Sequence, residues 1–300
     1  MITNEDSKLR LFLRNKHLQN MKSFSADKTV LYVHGTTQPS EAIFDLPIDD
    51  VSFADHLASE GYDVWYLNIR GYGRSEAPKV VKKYFATTDE ALSDLKCTIK
   101  HIFKLRKIKK INLMGWSWGT IIIGAYAAEN PKQVSRLVLM GAPWVTKKAD
   151  HDEKLDGKFW QEWTAGEMLQ KLRSGAPPGS KNFSRATRIA WEKALVKSQP
   201  EAAKQSPVKF RSPTGVLFDA AKFWRNGIAY YDPAKILAKV LICCGAWDMN
   251  AHIFESQDLL DKMTHAAAKE LRGIPKSTHM MQIEANRAVL FHYVQNFLES

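Results

Sequence analysis

Short apolar runs alternate along this chain with longer segments whose apolar residues recur at helical spacing. Thr29–Val33 and Lys239–Gly245 are apolar runs of strand length, the pattern of strands buried on both faces. The order begins with an opening hairpin over Lys8–Arg14 and His17–Phe24. The strand Thr29–Val33 follows, ending at His34-Gly35, then a helix around Val51–Ser59 and the strand Asp63–Ile69. A long amphipathic helix starts at Thr88, with Thr87 or Thr88 as its N-cap, and runs to about Lys107. The strand Lys110–Met114, a helix from Ser117 to Glu129 stopped by Asn130-Pro131, and the strand Arg136–Met140 come next.

After Pro143 the rhythm breaks. Residues 145–238 hold six of the twelve prolines and four of the nine tryptophans. Helical patterns at Phe159–Leu172 and Arg185–Val196 are separated by Gly/Pro turns such as Gly175-Ala176-Pro177-Pro178-Gly179, and no buried strand stands out. Alternation resumes with the strand Lys239–Gly245, a helix near Phe254–Met263, a strand near Lys269–Arg272 and a closing helix over Asn286–Leu298. The pattern predicts an α/β protein with a mostly parallel sheet covered on both faces. Its core, residues 1–144 and 239–300, is interrupted once by a helical insertion over 145–238.

Composition narrows the class. With 45% hydrophobic and 25% charged residues the 300-residue chain is an ordinary globular one. No run approaches the roughly 20 apolar residues of a membrane span, and no basic stretch followed by an apolar one marks a signal peptide. Three cysteines make no disulfide framework, and adjacent Cys243 and Cys244 suit a metal chelate poorly. Buried reduced thiols fit a cytoplasmic setting. The net charge is +11, and residues 145–238 carry 17 Lys and Arg against 10 Asp and Glu. No zinc-finger spacing, recognition helix or RNA-binding aromatic signature accompanies it, so a solvated basic surface is expected rather than a nucleic-acid site. The basic run Lys104–Lys110 reads as the cationic end of a helix.

Candidate chemistry centres on Gly115-Trp116-Ser117-Trp118-Gly119, a G-x-S-x-G between a strand and a helix. In so tight a turn the serine takes a strained backbone angle, and small residues two positions either side avoid collision. A nucleophilic serine needs a base and a group that fixes the base's tautomer. His279 follows the last strand, and Asp248 directly follows the strand ending at Gly245, which places both at the carboxyl edge of the sheet. An oxyanion would be held by the Trp118 N–H and by an N–H of His34-Gly35-Thr36-Thr37, with Thr36 first choice and Thr37 second. His34 is expected to brace that loop.

The stretches VLYVHGT, NIRGYGRSE, NLMGWSWGTIIIGAYAAENPKQVSRLVLMGAPW, LICCGAWD and STHMMQIE resemble the α/β-hydrolase superfamily, in order and over nearly the whole chain outside the insertion. The resemblance implies the α/β-hydrolase fold, with a cap inserted after the sixth strand and the triad order Ser117, Asp248, His279. Three departures stand out. Asn68 replaces a common Asp, Thr278 replaces the common Gly before the histidine, and the Pro that often follows the acid is missing.

Ser117 argues against dehalogenases and epoxide hydrolases, which need a carboxylate there. His34-Gly35-Thr36-Thr37-Gln38 and a basic insertion argue against proline iminopeptidases. Hydrolysis of a carboxylic ester or lactone asks least beyond the triad and needs no cofactor or metal. Cleavage of C–C bonds in ring-cleavage products, cofactor-free perhydrolysis and a non-catalytic ligand receptor are the alternatives. The partner is then a small-molecule ester or lactone. Trp116, Trp144, Trp163 and Trp224 are candidates to line a pocket for a bulky, hydrophobic or macrocyclic substrate. The aromatics of 145–238, Trp163 and Trp224 among them, could equally form the insertion's own core.

Overall fold

The computed structural model describes residues 1–81, 83–146 and 157–300. Residues 147–156 of the expected insertion lie outside them. In chain order the elements are β1 (Ile2–Thr3), β2 (Arg10–Leu11), β3 (Leu13–Lys16), β4 (Thr29–Val33), α1 (Phe53–Ser59), β5 (Asp63–Leu67), α2 (Thr88–Arg106), β6 (Ile111–Trp116), α3 (Trp118–Glu129) and β7 (Val134–Met140). Then come β8 (Trp160–Trp163), α4 (Ala165–Leu172), α5 (Arg185–Ser198), β9 (Phe210–Pro213) and α6 (Gly215–Lys222). The chain closes with β10 (Lys239–Gly245), α7 (Ile253–Lys262), β11 (Ala268–Ile274) and α8 (Arg287–Glu299).

Seven strands form the central sheet in the order β11-β10-β7-β6-β4-β5-β3. All neighbours are parallel except β3, which runs antiparallel to β5. Every residue of β4, β5 and β6 is buried, which is why these strands read as continuous apolar runs without alternation. The faces still alternate within the strand. Val30 and Tyr32 pack into one apolar cluster, with α1 and α8, while Leu31 and Val33 pack into the other, with α2 and α3. The outer strands β3 and β11 carry Arg14, Lys16, Lys269, Glu270 and Arg272, charges that discourage edge-to-edge pairing. Strand order reverses direction around β4 and β6, so a crevice is expected outside their carboxyl ends. β4 ends there at His34-Gly35, and β6 at Ser117.

Local signals set the helix starts. Ser52 caps α1 and Thr87 caps α2, each in a reciprocal capping box, with Asp55 and Glu90 respectively. At the end of α2 the basic run is not uniformly a surface feature. Arg106 folds back onto Asp63, with Nε and Nη2 donating at 2.8 and 2.9 Å, and stacks over Phe24.

Three expectations are corrected. The opening segment contributes one strand to the sheet, β3, not a hairpin. β2 instead pairs with β1, and 17–24 forms no strand. Five strands of the sheet therefore precede the insertion, where the pattern predicted six. The insertion is also not purely helical, because β8 and β9 form an antiparallel ribbon. The predicted helix over Phe159–Leu172 is divided at Thr164, which caps α4 through a box with Glu167. A ribbon whose two strands lie about 50 residues apart in sequence leaves no hairpin turn signal to read. Among the described residues no helix is long and apolar enough to cross a membrane.

The turn Arg70-Gly71-Tyr72-Gly73-Arg74-Ser75 after β5 is anchored by a buried ion pair. Arg70 donates Nε and Nη2 to Asp94 of α2 at 3.0 and 2.7 Å, its backbone N–H adds a third bond at 3.0 Å, and Asn4 adds a fourth at 2.7 Å. Asp94 is fully buried and Arg70 is 5% exposed. Asp94→Ala removes three bonds to Arg70 and leaves the guanidinium only the Glu90 carboxylate, 3.5 Å from Nη1, so unfolding free energy should fall by about 3 kcal/mol. Urea denaturation checks this, and a loss under about 1 kcal/mol would mean that Glu90 or water takes over from Asp94 without cost.

Candidate active site

Ser117 occupies the junction between β6 and α3 with φ +53° and ψ −127°, a conformation rare for a residue with a side chain. Its own N–H is held by the Met140 carbonyl at 2.9 Å. Its hydroxyl does not cap α3, although serine is a favoured cap elsewhere. The flanking glycines are required by contact. A Cβ on Gly115 would sit 2.7 Å from the Gly119 carbonyl, and one on Gly119 would sit 2.3 Å from the Val33 oxygen at the end of β4. Ser117 is partly accessible, in contrast to the buried residues on either side of it.

The loop after β4 lies directly against this turn, since a Cβ on Gly35 would fall 2.9 Å from the Ser117 Cβ. His34 braces the loop. The Ile69 N–H donates to its Nε2 at 3.0 Å, so the ring proton resides on Nδ1, which donates to the Gly35 carbonyl at 2.7 Å. Complete burial pushes its pKa down to about 4. Among the described residues neither the Thr36 nor the Thr37 amide is engaged in a hydrogen bond. Trp118, as the first residue of α3, has an N–H with no intrahelical acceptor.

Asp248 and His279 meet at the same edge. The His279 Nδ1 to Asp248 Oδ2 distance is 2.7 Å, with both side chains almost wholly buried. The other carboxylate oxygen of Asp248 accepts the N–H groups of Asn250 and Ala251 at 2.8 and 3.0 Å. These two bonds occupy Oδ1 and leave Oδ2 to the imidazole. Gly141 closes the gap behind the pair. Its φ is +56°, and a Cβ there would lie 3.0 Å from His279 Nδ1 and 3.1 Å from Asp248 Oδ2.

Trp116 links the serine turn to the histidine. Its indole N–H donates to the His279 carbonyl at 2.8 Å, and its ring lies 5.1 Å from the imidazole. It is 1% exposed, so this expected pocket residue acts as a strut within the site. Trp144 donates to Asp258 of α7 at 2.8 Å and packs on Tyr231. Trp224 is buried in the same apolar cluster as Trp144. Trp163, half-buried, carries the Lys171 ammonium 4.9 Å above its ring. Trp160, on the opposite face of the ribbon strand, borders a cleft of about 620 Å³ between the 71–77 turn and the insertion.

The sequence reading missed what supports the histidine. Thr278 donates both its N–H and its hydroxyl to Glu284, each at 2.7 Å. A carboxylate five residues after His279, directly after Met280-Met281-Gln282-Ile283, was the available signal. Among the described residues no group of three or more His, Cys, Asp or Glu is placed to hold a metal ion.

With this geometry in view, the relatives fall into place. Residues 28–286 match the family model described as alpha/beta hydrolase fold, and the chain belongs to that family. It is 31% identical over 157 residues to human "Lipase member K", covering 49% of this chain and 39% of that protein. The match thus spans about two fifths of the lipase's length. A protein of Bacillus subtilis (strain 168), named for 2-succinyl-6-hydroxy-2,4-cyclohexadiene-1-carboxylate synthase activity, is 23% identical over 288 residues and 92% of both lengths. The fold is shared with a carboxylesterase structure from the thaumarchaeon Nitrososphaera gargenis. The TM-score is 0.67 at 16% identity, over 99% of this chain and 97% of that one.

The His34 shift has a consequence for stability. The unfolded chain protonates this imidazole below about pH 6.5, whereas the folded chain resists until about pH 4. The unfolded state therefore binds more protons between these values, and stability falls as pH drops through that window, by about 3 kcal/mol in all. His34→Gln should shrink the difference between unfolding free energies at pH 7 and pH 4.5. An unchanged difference would show that another group carries the acid sensitivity.

Proposed function

We propose that the chain is a carboxylic ester hydrolase working through an acyl-enzyme on Ser117. One observation carries the reading. A serine held in a left-handed turn and a buried Asp248–His279 pair at 2.7 Å share one sheet edge, tied together by the Trp116 indole. Asp248 fixes the Nδ1–H tautomer and leaves Nε2 of His279 as the basic nitrogen. Nε2 takes the hydroxyl proton as Ser117 Oγ attacks the ester carbon, and the oxyanion is held by the N–H groups of Trp118 and Thr36. Collapse breaks the bond to the alcohol oxygen, which receives the proton from His279. A water deprotonated by His279 then attacks the acyl carbon, and the carboxylic acid leaves as Ser117 regains its proton.

The partial match to a lipase supports ester chemistry. The lactone form of the substrate fits the same steps, the alcohol remaining attached to the acid. A second reading, action of the same triad on a C–C bond, would call on the same serine, base and acid. Residues 157–238 act as a cap over Ser117 in either case. The substrate is a small molecule, with no role for a cofactor.

Ser117→Ala should abolish turnover of a short p-nitrophenyl ester with folding intact, and a serine-reactive phosphonate should label Ser117 alone. Asp248→Asn should lower kcat on the order of 10⁴-fold, because an amide favours the wrong imidazole tautomer. Near-normal turnover in either variant would refute the assignment. Clean labelling of Ser117 without ester turnover would favour the C–C reading.

A further inference from the structure

The loop between β11 and α8 carries His279 and has no regular secondary structure of its own, yet residues 277–284 are all buried. Two clamps hold it. From the sheet side, Trp116 donates to the His279 carbonyl at 2.8 Å. From the other side the contacts come from the insertion. Arg173, at the end of α4, donates Nε to Glu284 Oε1 at 3.3 Å, and that carboxylate also receives both Thr278 donors. Arg173 Nη2 reaches the Asn182 side-chain oxygen at 2.5 Å. Asn182 in turn donates Nδ2 to the Lys276 carbonyl at 3.2 Å and accepts the Ala285 N–H at 2.8 Å. The loop is thus bonded to the insertion at Lys276, Glu284 and Ala285, and Glu284 in turn holds Thr278, the residue before His279.

We propose that Arg173, acting through Glu284 and Thr278, is a positioning residue for His279, so that the insertion as well as the sheet sets the aim of the base. This rests on the reading of His279 as general base. The chemistry of the contact is specific. Glu284 is fully buried, and a buried carboxylate is retained only with its oxygens satisfied. A guanidinium can serve Glu284 and Asn182 at once through different N–H groups, which an ammonium cannot do in the same geometry. Thr278, where a glycine is common in the family, supplies a hydroxyl bond that glycine lacks. With Glu284 fixed, the Thr278 N–H and hydroxyl bonds fix the backbone that enters His279. Loss of this support frees the imidazole to drift from Asp248 while Ser117 stays in place on its own turn.

The test uses the full-length protein with Arg173→Ala, Arg173→Lys, Glu284→Gln, Thr278→Val and Thr278→Ser. Two readouts are followed. The first is the low-field proton NMR signal of the His279 Nδ1–H, identified by its absence in His279→Gln. The second is the split between kcat and KM on p-nitrophenyl acetate. The expected result is a shifted or exchange-broadened proton in Arg173→Ala, Glu284→Gln and Thr278→Val. A fall in kcat of about 10- to 100-fold should accompany it, the scale of a misplacement near 1 Å, with little change in KM. Thr278→Ser should restore both readouts, and Arg173→Lys should fall between. If Arg173→Ala does not fold, Thr278→Val and Arg173→Lys decide the question. An unshifted proton in the folded variants overturns the proposal, even if activity falls, because the loss would then come from the insertion's packing. A shifted proton in a protein whose wild type neither turns over esters nor takes the phosphonate leaves the positioning role standing and removes the hydrolase reading.

Discussion

The close approach of α3 to the end of β4 is the constraint on which the rest of the site depends. A helix following so directly on β6 reaches that point only if residue 119 has no side chain, since a Cβ there would meet the Val33 oxygen at 2.3 Å. The same turn presses Gly115 against the Gly119 carbonyl and drives Ser117 into its left-handed conformation. Strain of this kind persists only where the surroundings over-determine it. Here they do so through the buried strands on either side and through the Met140 carbonyl that holds the Ser117 amide. One contact therefore places three things together: the hydroxyl, the first free amide of α3 and the loop after β4.

The histidine is held by different means. The serine turn is a steric consequence of strand and helix packing, but the loop around His279 has no ladder to define it. Polar groups, one in the loop itself and the others from distant parts of the chain, supply the definition instead. They are the Trp116 indole, the Glu284 carboxylate, the Asp248 carboxylate and the arms of Arg173 and Asn182. Buried hydrogen bonds of this sort are directional and costly to leave unmade. They fix an irregular backbone where apolar contact alone would leave it several arrangements. The cost falls on the insertion, which must keep a fixed relation to the core to satisfy them.

Further links make that relation more than one contact. The indole of Trp191 on α5 donates to Gln38 at 2.6 Å, two residues beyond Thr36. Asp219 on α6 accepts the Thr88 N–H at the start of α2, and Thr88 Oγ1 accepts the Trp118 indole at 3.1 Å. The insertion is therefore bonded to the loop after β4, to the helix beside the serine turn and to the histidine loop.

Much of this was legible in the chain. The buried strands announced themselves because parallel strands covered on both faces must be apolar throughout. G-x-S-x-G was readable because a strained turn admits only small residues at fixed offsets. Asp248 and His279 were readable because each follows a strand, and strand ends are where a parallel sheet exposes side chains. The sequence by itself thus determined the sheet, the serine turn and the identity of the residues at its edge. The tertiary structure alone decided that the opening segment adds one strand, that β8 finds β9 about 50 residues away, and that Trp116 is a strut beneath the site. It also decided that Arg173 reaches Glu284 across 111 positions of chain. The physical reason is range. Period, capping and turn chemistry act over a few residues and leave their mark in order, whereas a long-range hydrogen bond between two polar side chains leaves no periodic trace in either segment.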